Sequence, residues 1–142
     1  MLTEKDYCDY ETCVALKELG FPQSTSLARY ALVNKWVDYC TFKKGQLITS
    51  EDRFFFNTTE ESIIAPLLYL AQKWLRKEKK LIVLVGFDFC PIISEIVYNW
   101  VIVVNGNTAK KSSYTYDFYE EALSEGIKEA VKILKENETI HE

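Results

Sequence analysis

The apolar positions along the chain change period several times, and each change predicts an element. Between Asp9 and Gly20, Cys13, Leu16 and Leu19 recur at helical spacing with Val14 beside them. Asp9 is placed to cap the start of a short helix and Gly20 to take the left-handed conformation at its end, with Phe21 folding back and Pro22 preventing continuation. From residue 26 to 50 the β-branched and aromatic content rises. Residues 27–33, 36–42 and 46–49 are candidate strands and Lys44-Gly45 a turn, although Leu27, Tyr30, Ala31 and Asn34 also fit a helix. Residues 50–62 read as a connection, whose Phe54, Phe55 and Phe56 either pack as a lid on the core or stand exposed.

The second half is patterned more strongly. Pro66 suits the first position of a helix, where its missing N–H costs nothing, and Leu67, Leu70, Ala71, Trp74 and Leu75 then share one face. A start at Thr58 or Thr59 with a kink at Pro66 is the alternative. Residues 81–89 are apolar on both faces, which predicts a strand covered on two sides. Cys90-Pro91 ends it, and residues 95–104 follow as a second strand in which Ile96, Tyr98, Trp100, Ile102 and Val104 share a side. Asn105-Gly106-Asn107 is a hairpin signal, because Asn and Gly tolerate positive φ. Residues 112–116 are the expected returning strand. A final helix starts at Asp117, with Glu120 completing a capping box, and carries the stripe Phe118, Ala122, Leu123, Ile127, Ala130, Val131 and Leu134. Gly126 beside that stripe implies close packing on the sheet.

The pattern predicts an α+β fold: an antiparallel sheet of three or more strands packed by helices, with the C-terminal part in the order α-β-β-β-α. No repeat or linker divides the chain, so residues 1–142 are read as a single domain. Residues 1–57 form an N-terminal helix plus an irregular or β region, residues 58–135 the α-β-β-β-α unit, and residues 136–142 a frayed tail. With 48% hydrophobic residues, a chain of this length can bury a core without metals or disulfides. Trp74, Trp100 and Phe118 are expected in that core.

Charge and rare residues narrow the chemistry. The 17 basic and 21 acidic residues give −4, a poor balance for a protein whose main task is neutralising phosphates, and residues 117–142 hold 8 of the acids against 3 bases. Cys8, Cys13, Cys40 and Cys90 form no CxxC pair, so they read as free thiols rather than metal ligands, and a reducing cytoplasm is the expected setting. Asp88, Pro91, Glu95 and Asn99 interrupt residues 81–104 too often for a membrane span. The single histidine, His141, stands one residue from the end, which disfavours imidazole-based catalysis. No cofactor or metal is expected.

Three functional readings compete. The order α-β-β-β-α is also that of double-stranded RNA-binding domains, and Arg76, Lys77, Lys79 and Lys80 near Trp74, with Lys110 and Lys111, are the candidate nucleic-acid contacts. The last helix nevertheless begins DFYEEALSE, which would repel phosphates. Asp88 and Glu95 are the carboxylates inside the apolar segment and the candidates for a general acid and base. The preferred reading is a non-catalytic interaction module, acting on a protein partner or as a homodimer, because 9 Tyr, 8 Phe and 3 Trp exceed ordinary core needs. Its candidate contacts are Phe54, Phe55, Phe56, Tyr114, Tyr116 and Tyr119. An N-terminal half that covers the second face of the sheet would instead use those aromatics internally.

The stretches IAPLLYLAQKWLRKEKKLIVLV and YDFYEEALSEGIKEAVKIL, with the opening YETCVALKELGF, resemble a family of small proteins of gut Bacteroides genomes and their prophages. The resemblance covers the first helix and much of residues 63–135. It brings no activity, ligand or site, and implies a cytoplasmic accessory protein of mobile-element origin that binds a host or phage macromolecule.

Overall fold

The structure is a computed structural model, and it describes residues 2–23, 28–37, 39–56 and 60–141. After a 3-10 turn at Glu4–Asp6, helix α1 spans Tyr10–Glu18. Asp9 caps it by accepting the Thr12 N–H at 2.8 Å. At the other end Gly20 takes φ 98°, so that the Phe21 N–H reaches the Leu16 carbonyl at 2.9 Å and the Gly20 N–H that of Lys17 at 3.1 Å. These two bonds satisfy carbonyls that the last turn leaves open. They also turn the Phe21 ring onto Trp74, edge to face at 5.1 Å.

Five short strands follow: β1 (Arg29–Ala31), β2 (Lys35–Val37), β3 (Cys40–Phe42), β4 (Leu47–Ile48) and β5 (Ser62–Ile64). They make an antiparallel sheet in the order β4-β1-β5 and a separate β2-β3 hairpin. The strand expected over residues 36–42 is broken in two, with Tyr39 at φ 63° in the break. Gly45 at φ 87° makes the expected turn. Strand β5 lies partly inside the expected connection and between Thr59 and Pro66, so the early helix start has no room; Thr58 and Thr59 themselves lie outside the described residues.

Helix α2 (Leu68–Glu78) begins two residues later than expected, because Leu67 is extended at φ −60°, ψ 148° and acts as N-cap. The preceding Pro66 is buried, and its carbonyl accepts the Cys8 N–H at 3.0 Å. The shift buries Leu68 and turns Leu70 outward. Strands β6 (Leu81–Cys90), β7 (Glu95–Val104) and β8 (Asn107–Lys111) form the larger sheet, in the order β6-β7-β8, and α3 (Tyr119–His141) closes the order α-β-β-β-α. The returning strand is therefore Asn107–Lys111, not 112–116. The turn residues Asn105 and Gly106 have φ 53° and 79°, the geometry that sends a chain straight back, so pairing starts at Asn107. Beyond a bulge, Ser112 still donates its N–H to the Trp100 carbonyl at 2.9 Å, and Tyr116 forms an isolated bridge, exchanging two 2.8 Å backbone bonds with Tyr98. That bridge keeps residue 116 extended and delays the helix to Tyr119, which leaves Phe118 outside the core at 54% exposure.

One core joins both halves. Cys8, Cys13 and Leu16 from the N-terminus, Tyr30 and Ile63 from the small sheet, Ala71 and Leu75 from α2, Val83, Trp100 and Ile102 from the large sheet, and Leu123, Ile127 and Ala130 from α3 pack together. This core lies on the helix-covered face of the large sheet. The other face is covered only in part: Val97 is buried there, but Leu84 is half exposed and Ile82, Val101 and Val103 are only half buried. The expectation of a strand buried on both sides therefore fails, because the N-terminal half packs on the helix side.

Candidate interaction surface

Strands β6 and β7 pair along their whole length, from Leu81 opposite Val104 to Cys90 opposite Glu95. Side chains alternate faces along each strand. Leu81, Val83, Val85, Phe87 and Phe89 thus share the helix side with Val104, Ile102, Trp100, Tyr98 and Ile96. Ten residues at about 3.3 Å each reach roughly 33 Å, well beyond the usual five or six residues of a strand. Helix α3 covers the first half of that face: Gly126 lies against Val83 and Trp100, and Tyr119 meets Tyr98 at 6.0 Å. From the Phe87–Tyr98 pair onward the hairpin projects with most of its apolar side chains uncovered, Val97 being the buried exception. Phe87, Phe89, Ile92, Ile93 and Ile96 are each between 50% and 91% exposed there, whereas the half-exposed Leu84 stands opposite Val101 on the other face.

The outer edge of β6 is open over the same stretch. The Val83 carbonyl accepts from Gln72 Nε2 at 2.7 Å, so the backbone groups of the odd-numbered residues face away from β7. The Phe89 N–H is taken by the Asp88 side chain at 3.0 Å. Between these two ties, the N–H and C=O of Val85 and Phe87 meet no partner among the described residues. An unpaired strand edge beside exposed apolar side chains is a template for further pairing.

No family model, curated protein or solved structure matches this chain. Its own geometry therefore carries the functional reading.

The residues singled out from sequence are dispersed. Phe56 is buried with Phe42, Ala31 and Ile48 in a small second core, its ring edge-on to Phe42 at 5.3 Å and under the Lys35 ammonium. It is a packing residue, delivered inward by the 3-10 turn Glu51–Phe55; the side chains of Phe54 and Phe55 lie outside the described residues. Tyr116 is half buried, and its hydroxyl accepts from Trp100 Nε1 at 3.3 Å. Tyr114 stands out at 77% exposure, and Tyr119 is partly exposed against Tyr98.

The basic candidates divide between the two edges of the sheet. Arg76, Lys77, Lys79 and Lys80 end α2 beside β6, with Lys79 over the Trp74 ring at 5.5 Å. Lys110 and Lys111 lie two strands away on β8, and Lys110 is bridged to Glu129 at 2.7 Å. Asp88 and Glu95 share the face away from the helices but are both exposed on the projecting arm, and neither lines a described cavity.

A cleft of about 380 Å³ between the N-terminal turn and the start of α3 is walled by Tyr7, Tyr30, Tyr116, Glu4, Glu120 and Glu121. The Tyr30 hydroxyl is spoken for by the Cys8 carbonyl at 2.7 Å, and burial pushes its pKa further from neutrality. Burial likewise pushes the Cys8 and Cys13 thiols up, so neither presents a thiolate. No helix among the described residues is long and apolar enough to cross a membrane. The sequence predicts these two strands and the break at Cys90-Pro91 but not that their far end projects, although a signal is present: an apolar run continues through the turn itself, FDFCPII, where polar turn residues are usual.

Proposed function

We propose that the chain is a non-catalytic protein-interaction module whose contact surface is the β6–β7 hairpin beyond Tyr98. One observation carries the reading: five large apolar side chains stand exposed on one projecting arm. At roughly 200 Å² for a large free side chain, their exposed fractions come to about 650 Å², more than the few hundred that the largest patch of a monomer usually reaches. The resemblance to small mobile-element proteins supports an accessory role as the setting.

A photo-activated cross-linking residue at Ile92 tests the surface against a control at the exposed Glu138. The hairpin position should give a discrete adduct, with another protein or with this one, that saturates with concentration and disappears on Phe89→Glu. Equal, unsaturable labelling from both positions would remove the proposal.

A further inference from the structure

We propose that the hairpin's occupant is a second copy of this chain, joined edge to edge through β6 into one continuous antiparallel sheet. The inference rests on the hairpin being the contact surface and names its partner. Three features of the strand favour a copy of itself.

The first is symmetry. The outward-facing backbone groups of β6 run from Val85 to Phe89, since Val83 is tied to Gln72. That run is symmetric about Phe87. Full use of it by a two-fold pair places Phe87 opposite the partner's Phe87, and Val85 opposite the partner's Phe89. Such an arrangement uses the same patch twice, as closed dimers do. It adds six backbone hydrogen bonds in three pairs, each of them giving a partner to an open group of Val85 or Phe87.

The second is charge. Asp88 is the one charged residue of β6. The register sets it opposite the partner's Gly86 rather than opposite the partner's Asp88, so like charges do not meet directly. The third is area. About 650 Å² of exposed apolar surface on the arm approaches the ~800 Å² per partner of a standard stable interface. On the helix side the two Phe87 rings would meet, with Phe89 over the partner's Val85, extending the apolar face past the end of α3.

Asp88 acts against this pairing in the monomer. Its carboxylate holds the Phe89 N–H, and that bond must be exchanged for one to the partner's Val85 carbonyl. Asp88→Ala should therefore tighten the dimer.

Sedimentation equilibrium of the full chain, with cross-linking by single cysteines, tests the register. In a Cys40→Ser, Cys90→Ser background, Phe87→Cys should oxidise to a disulfide-linked dimer, because directly opposed strand residues stand ~5.5 Å apart at Cα, within disulfide reach. Leu84→Cys, which the register does not oppose to itself, should not. The wild-type amides of Val85 and Phe87 should gain protection from hydrogen exchange as concentration rises, a readout that needs no variant. Phe87→Glu, at a side chain already 74% exposed, should keep the monomer fold and abolish dimerisation. A monomer at every concentration would overturn the self-pairing, while cross-linking from Ile92 to another protein would still uphold the surface itself. A dimer that survives Phe87→Glu, or that cross-links equally at Leu84, would overturn the pairing too.

Discussion

Replacing Gly126 by alanine puts a methyl group where α3 crosses the large sheet. The added carbon would stand 2.7 Å from Val83 Cγ1, closer than real contacts allow, and 3.0 Å from Trp100 Cβ, tighter than all but a few of them. Neither neighbour yields easily. Val83 is β-branched and buried, and the Trp100 Cβ is fixed by its own strand. Alanine gains about 1 kcal/mol over glycine in a helix interior, whereas overpacking a filled core costs about 1–3 kcal/mol. With two atoms inside contact distance the cost falls in the upper part of that range, so the variant should be about 1–2 kcal/mol less stable than wild type. In urea, with a slope of about 2 kcal/mol per molar, the midpoint should drop by about 0.5–1 M.

The cause can be separated from a general helix effect. Val83→Ala removes the nearer atom, so Gly126→Ala should cost measurably less in that background, with a coupling of at least ~0.5 kcal/mol. A Gly126→Ala midpoint equal to or above wild type would mean that the helix does not approach the sheet this closely. An unchanged cost in the Val83→Ala background would mean that Val83 is not what it meets.

Three further outcomes follow from the caps, the turn and the thiols. Burial alone would raise the Asp9 carboxyl, but donation from Lys128 and from the Thr12 hydroxyl and N–H holds its pKa below the ordinary 3.8. Its contribution is present above the unfolded value and is lost as pH falls through the lower folded one. Denaturation midpoints measured from pH 6 downward should therefore fall more steeply below pH ~4 for wild type than for Asp9→Asn, and parallel curves would refute the assignment. Asp9→Ala should in addition lose about 1 kcal/mol of cap at neutral pH, which Asp9→Asn largely keeps. At Gly106, φ 79° with nothing within 4 Å of an added Cβ isolates backbone strain: Gly106→Ala should cost about 1–2 kcal/mol, and an unchanged melting temperature would contradict the turn. Under native conditions a disulfide reagent should modify the exposed Cys40 and the half-buried Cys90, with Cys8 and Cys13 reacting only on unfolding; a third fast thiol in the native protein would be incompatible with this burial.

The parts of the fold legible in the sequence are those where local chemistry and tertiary packing agree. Asp9 and Gly20 bound α1 because a cap and a left-handed turn are local devices. Asn105-Gly106 fixes the β7–β8 hairpin for the same reason, and the α3 stripe is long enough to be read by period alone. Strand β8 escapes the pattern because its residues Asn107–Lys111 are all exposed: with neither face buried, no alternation marks them. Strand β5 has three residues, all buried, too short a run for any periodicity. The start of α3 depends on the Tyr98–Tyr116 pairing, a contact between distant residues that outweighs the local capping box.

The functional surface is illegible in the sequence for a related reason. Apolar content on both faces of residues 81–104 is consistent with burial on two sides and equally with exposure on a projecting arm, and the sequence does not say how far the helices reach. That reach is set by where α3 starts. The Tyr98–Tyr116 pairing holds the chain extended, and Tyr119 then meets Tyr98, so helical cover ends at that pair while both strands continue. The aromatic load thus splits. Trp100, Tyr30 and Phe56 fill the interior, and Phe87 and Phe89 continue the same sheet face past the cover. What makes the arm a contact surface is therefore the mismatch between strand length and helix position, and shortening β6 and β7 in step should remove the contact without disturbing the core.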